Sequence, residues 1–175
     1  MSEPAEIDPV AEDEAGREID PRSVAQQRLV GRLRVIGLSA ATFAGLMVAL
    51  LAADGLPAWG ALALGLLWLG VVTLAAWHAE VWPARDFAHT RYRLDADGLR
   101  IARGVYWRSI TQVPRSRVQH TDVSQGPLER RYGLGTLIVY TAGTDHAKVS
   151  LPGLAWDTAL ALRDELGLDR SDDDV

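Results

Sequence analysis

Cysteine does not occur in the sequence, which excludes disulfides, thiolate metal sites and a cysteine nucleophile. Its absence fits a domain held in a reducing compartment. Charge is missing from two long stretches, residues 35–53 and 55–77, and the link between them, Asp54-Gly55-Leu56-Pro57, contains no Lys or Arg. A helical pair buried in a soluble core normally keeps a polar face, and neither stretch has one. Catalytic signatures are missing too. The four histidines, His78, His89, His120 and His146, form no spaced zinc motif such as H-E-x-x-H, and Ser116, Ser124 and Ser150 lack the G-x-S-x-G setting of a nucleophile elbow. Gly133-Leu134-Gly135 precedes a strand pattern and not a phosphate-cradling helix. The interleaved basic and aromatic pattern of a nucleic-acid-binding sheet is also missing. No enzyme, metal site or cofactor is therefore expected, and no nucleic-acid partner.

What is present is a membrane hairpin, over residues 35–77. At about 1.5 Å per residue the first stretch reaches about 29 Å as a helix, close to a hydrocarbon core of about 30 Å. Trp59 and Trp77 stand where interfacial aromatic belts form. Arg22, Arg28, Arg32 and Arg34 precede the first span, and Arg85, Arg91 and Arg93 follow the second. The positive-inside rule then places both ends in the cytoplasm, with the spans crossing a bacterial inner membrane twice. A secretory signal begins basic and turns apolar at once, whereas this chain begins acidic, so the first span is expected to be retained as an anchor. Gly37, Ala41 and Gly45 recur every four residues in one span, and Ala61 and Gly65 do so in the other. These small residues serve close packing, either within the hairpin or between copies of the chain.

The net charge of −5 is unevenly spread. Residues 1–24 carry Glu3, Glu6, Asp8, Glu12, Asp13, Glu14, Glu18 and Asp20, with few large apolar side chains, and are expected to be a disordered acidic tail. Residues 25–34 form a basic juxtamembrane segment suited to anionic lipid. Residues 85–168 form one small domain, and residues 169–175 a second acidic tail. Within the domain Trp82 and Pro83 are expected to end the second helix. Tyr92 and Leu94 then alternate with polar residues up to Asp97-Gly98, a type I′ turn signal, and Leu99 and Ile101 continue beyond it. Further strands are expected over 106–113, 117–123, 136–141 and 147–151, with a β-bulge needed if Val118 and Val123 are to share one face. Ala155, Ala159, Leu162 and Leu166 fall at helical spacing, with Gly167 as the expected C-terminal cap.

Residues 114–134, PRSRVQHTDVSQGPLERRYGL, followed by Thr141-Ala142-Gly143 and Leu151-Pro152-Gly153-Leu154, resemble the membrane-flanked bacterial pleckstrin-homology (PH) family of the YdbS-like type. The resemblance covers residues 88–166, and the preceding spans are similar to that family's anchor. It implies a membrane α-helical hairpin followed by a mainly β pleckstrin-like domain, with two bent antiparallel sheets and a C-terminal helix. It supplies no catalytic residues. The expected function is a non-enzymatic membrane protein that binds a protein partner, such as a membrane protein with related PH-like domains, or self-assembles as a homo-oligomer in the bilayer. Alternatives are anionic lipid head-group recognition in a membrane stress response and, more remotely, a membrane-bound enzyme using His120, Asp122 and Ser124 on one strand face. Arg115, Arg117, Arg130 and Arg131 are the candidate partner- or lipid-binding residues, unless Asp122 and Glu129 pair with them.

Overall fold

The computed structural model describes residues 16–52, 57–142 and 148–168. The chain forms two compact units, Gln27–Ala84 and a second assembled from the chain on both sides of it.

The first unit holds most of two helices of 31 residues, α1 (Arg22–Ala52) and α2 (Ala58–Ala88). No residue of either apolar window is buried by protein, and Ile36, Leu38, Val48, Leu51, Leu62, Leu66, Leu67 and Leu74 all stand exposed. A soluble core would cover such a surface, and water would not tolerate it. The helices suit a bilayer, where each backbone group must be satisfied within its own segment. Side-chain hydroxyls obey the same demand: Thr42 Oγ1 donates to the Leu38 carbonyl and Thr73 Oγ1 to the Leu69 carbonyl, both at 2.8 Å. Trp68 Nε1 donates to Thr42 Oγ1 at 3.0 Å, and the Trp68 ring meets Phe43 with centroids 5.1 Å apart. These contacts join the two helices. The expected turn between the spans, residues 53–56, lies outside the described residues.

Both helices outrun their apolar windows. The expected stop at Trp82 and Pro83 is corrected, since α2 continues through Pro83 to Ala88. Proline has no N–H to give the carbonyl four residues back. One turn before it, Arg28 Nε donates to the Glu80 carbonyl at 3.0 Å, and Arg32 forms an ion pair with the Glu80 carboxylate. The arginines of α1 thus support the turn that the proline weakens.

The second unit is a two-sheet domain closed by a helix. One sheet orders β1 (Arg17–Glu18), β2 (Arg91–Asp95), β3 (Gly98–Arg103) and β4 (Ser109–Pro114), and the other β5 (Val118–Ser124), β6 (Leu134–Thr141) and β7 (Lys148–Ala155), all antiparallel. A short helix α3 (Pro127–Tyr132) joins β5 to β6, and α4 (Trp156–Leu168) follows β7. Alternation along the strands sends Tyr92, Leu99, Ile101, Val113, Leu137, Val139 and Leu151 inward, where Ala159, Leu162 and Leu166 of α4 meet them. The expected bulge is present: the β5–β6 register shifts between Val118 and His120, and Val118 and Val123 both pack on the core.

Four local expectations change. The tight turn sits at Ala96-Asp97, because the Asp95 side chain accepts the Asp97 N–H at 3.1 Å, and Gly98 opens β3 with φ +136°. Tyr106 and Trp107 lie in a loop, not a strand, after Gly104 turns the chain at φ +119°. Gly167 lies inside the last turn of α4 and does not cap it. The fourth concerns the acidic segment. Residues 17–23, expected within a disordered tail, are ordered: β1 pairs with β2, and Ile19 is buried in the core.

This segment also starts the first membrane helix. Asp20 caps α1, its Oδ1 accepting the Arg22 N–H at 2.8 Å, with Pro21 after it in the position that a proline tolerates. Hydrogen bonds from the Arg22 side chain hold the Asp20 carboxyl below the usual aspartate range. A lowered folded-state pKa stabilises at neutral pH, and that contribution is lost as the pH falls below the ordinary aspartate range and through the folded value. The Asp20 N–H donates to the Gly153 carbonyl at 2.8 Å, and a Cβ on Gly153 would stand 3.0 Å from Ser23 Cβ. The hairpin is therefore an insertion between the first two strands of the domain.

Candidate functional site

Of the four arginines, Arg115 is engaged within the domain and the other three are exposed. Arg115 is a tether: its Nε donates to the Asp95 carbonyl and its Nη1 to the Glu165 carbonyl, each at 3.0 Å. It binds the β4–β5 corner to the β2–β3 turn and to the end of α4, and its side chain is only 17% exposed. Arg117 is exposed at the end of the 3-10 turn, and Arg130 and Arg131 are exposed on α3. The carboxylates expected to pair with them are engaged elsewhere. Glu129 accepts the Gly126 N–H at 2.6 Å and the Thr136 hydroxyl at 2.7 Å, closing the first turn of α3. Asp122 accepts from His120 across 2.9 Å.

His120 and Asp122 share the outer face of β5, as the alternation requires. His120 lies opposite Tyr140, with ring centroids 5.7 Å apart, and Lys148 Nζ lies 5.9 Å from the Tyr140 centroid. The row His120, Tyr140, Lys148 follows the register across all three strands. It is a cross-strand ladder on a solvated face. No group of acids and histidines suited to a metal forms among the described residues.

Two features stand open to partners. A Cβ added to Gly37, Gly45 or Gly65 would meet nothing within 4 Å, whereas one on Gly31 would stand 3.0 Å from Ala79 Cβ. The hairpin closes at Gly31, leaving those three glycines outside that close approach; Ala41 is exposed and Ala61 half-buried on the same stripes. The second feature is β4, which pairs with β3 alone among the described strands. Its far side borders a groove of about 280 Å³ reaching Arg117, Thr141 and Val149.

Sequence reasoning missed a third feature, the exposed pair Tyr106 and Trp107 before β4. Its signal was an aromatic pair just after a glycine, where strand alternation fails. At the root of this loop Arg103 is half-buried and donates to the Ser150 carbonyl. Burial lowers its guanidinium pKa, opposed by the nearby Asp86 carboxylate. Burial likewise raises the Tyr92 phenol above its ordinary value.

Two transmembrane helices attached to a two-sheet domain with a closing helix define a membrane-anchored PH-like protein. A family described as "Bacterial PH domain" matches residues 33–170. The UPF0699 transmembrane protein YdbS of Bacillus subtilis (strain 168) is 36% identical over 126 residues, covering 68% of this chain and 72% of that protein. The chain belongs to the YdbS-like family of bacterial PH-domain transmembrane proteins. No solved structure matches it significantly.

Proposed function

We propose that this chain is a non-enzymatic interaction protein of the bacterial inner membrane, whose PH-like domain binds a protein partner or a second copy of the chain at the cytoplasmic face. The observation that carries this reading is the edge of β4 that pairs with no other described strand, beside its groove. A strand edge with unpaired N–H and C=O groups is a template for an extended segment of another chain. The open glycines of α1 and α2 support association within the bilayer as well, since small residues let helix backbones approach. Lipid head-group recognition draws less support, because Arg115 is spent on backbone carbonyls within the domain.

Single cysteines at Gln112 of β4 and at Gly45 of α1, crosslinked in intact membranes, should give discrete products above the monomer mass. Recovery of monomer alone at both positions, under several crosslinker lengths, would count decisively against the proposal. The pairing of β1 with β2 across the inserted hairpin supports an even number of crossings, and the flanking arginines support the cytoplasm as the shared side. An impermeant thiol reagent applied to intact cells should label a cysteine at Asp54 but not one at Ala161. Labelling at both positions would refute that orientation.

A further inference from the structure

Trp107 is 90% exposed, Tyr106 73% and Ile110 50%, and they fall within five consecutive residues of a domain whose other large apolar residues are mostly covered. The loop that carries them is shaped by Gly104, where a Cβ would stand 1.9 Å from the Trp107 carbonyl oxygen. Only a glycine permits the chain to close so tightly there. The root is fixed by the pairing of Arg103 with Ser109 and of Ala102 with Ile110, and by the bond from Arg103 to the Ser150 carbonyl. The aromatic tip is therefore a constructed projection.

We infer that the loop Tyr106-Trp107-Arg108, with Ile110, is a second membrane contact that seats its aromatic rings at the head-group level of an anionic bilayer. Three observations select lipid over a protein partner as the occupant. The charge at the loop tip is that of the exposed Arg108, and residues 98–121 contain no Asp or Glu. A surface of that sign complements anionic lipid. Trp and Tyr place an apolar ring and a polar N–H or O–H at the one boundary that satisfies both. The domain is also joined to the second span by a short connection, because α2 runs on from Trp77 to Ala88 and β2 begins at Arg91. The inference does not depend on the partner-binding reading. It gives the domain a contact distinct from the β4 edge and from the acidic β2–β3 turn.

With no native cysteine, Ser109→Cys gives one labelling site beside the loop. The full chain, labelled there with an environment-sensitive dye, is placed in nanodiscs of phosphatidylcholine and phosphatidylglycerol. Lipids with nitroxide head groups should quench this dye strongly, and leave the same dye at Ala161→Cys, on the exposed face of α4, nearly unaffected. Adding Trp107→Glu should remove most of the quenching without moving the melting temperature, because that side chain is covered by nothing. Trp107→Ser, which adds no charge, should give a smaller loss of the same sign. Raised salt or discs of phosphatidylcholine alone should weaken the quenching. Absence of lipid quenching of the dye in the Ser109→Cys chain would overturn the inference, as would quenching indifferent to both Trp107 variants or to lipid charge. So would a dye shielded from aqueous iodide but untouched by the nitroxide lipids, the signature of a protein cover.

Discussion

Excising Gln27–Ala84 and joining Gln26 to Arg85 through a short Gly/Ser linker should yield a water-soluble domain that unfolds cooperatively, with a single midpoint in urea. The domain's strands, core and closing helix all lie outside the excised residues. The two ends are brought near each other at the base of the hairpin, where the Gly31 backbone meets Ala79 and Arg28 bonds the Glu80 carbonyl. A soluble fragment that begins at Arg85 should fare far worse. It would lack β1, leaving the edge of β2 bare, and would lack Ile19, which is 4% exposed in the core. Removing a buried isoleucine side chain alone costs about 2–5 kcal/mol, against a total of about 5–15 kcal/mol for a domain. The ion pair of Arg91 with Glu18, at 2.8 Å, adds little because both side chains reach solvent. The fragment from Arg85 is expected to show a shallow, non-cooperative urea transition, and Ile19→Ala in the linked domain to lower the midpoint without changing the slope. Equal stability of the two soluble forms would show that the residues before the hairpin merely rest on the domain.

Much of this architecture was legible because it rests on short-range periodicity. The uncharged windows marked the spans, since nothing else explains two stretches without a polar face, and alternation around Tyr92, Leu99, Ile101 and Leu137 marked the sheets. Parity alone required the bulge between Val118 and Val123, which the shifted register supplies. What could not be read depends on contacts distant in sequence. β1 is two residues long and pairs across the whole hairpin, and a two-residue strand has no period. The acids around it signalled disorder, although Ile19 and the Asp20-Pro21 cap were in plain view. Arg115 looked like part of a basic surface because its acceptors are backbone carbonyls of Asp95 and Glu165, and carbonyls leave no mark in a sequence. The stripe of Gly37 and Gly45 was visible, but not that the hairpin would close at Gly31 and leave those glycines open. The exposed aromatic loop escaped for the opposite reason, since Tyr106 and Trp107 are strand formers by composition and a glycine two residues earlier removes them from the sheet.

Glycine substitutions at two positions of the domain should act with opposite sign. Gly98 opens β3 at φ +136°, a conformation that L residues rarely adopt, and its added Cβ would stand 2.1 Å from the Val113 carbonyl oxygen and 2.9 Å from Pro114 Cα. Those neighbours are backbone, so no side-chain rotamer can relieve the clash. Relief requires β4 to move, and the adjacent pair Leu99 and Val113 is buried at 0% and 3% exposure. Arg115, whose N–H donates to the Asp97 carbonyl and whose Nε donates to the Asp95 carbonyl, would be carried with the strand. Backbone strain of about 1–3 kcal/mol and overpacking of about 1–3 kcal/mol together give Gly98→Ala a loss on the order of 4 kcal/mol. That is enough to leave a marginal domain largely unfolded at 37 °C, read as a lowered urea midpoint or as loss of soluble protein. At Gly167 an added Cβ meets nothing within 4 Å, and the residue sits in the last turn of α4. Gly167→Ala should therefore stabilise by up to about 1 kcal/mol, by restricting the unfolded chain and favouring the helix. If Gly98→Ala proved as harmless as Gly167→Ala, then β4 would yield freely at Pro114, and the β3–β4 edge would be far softer than its buried Leu99 and Val113 pair requires.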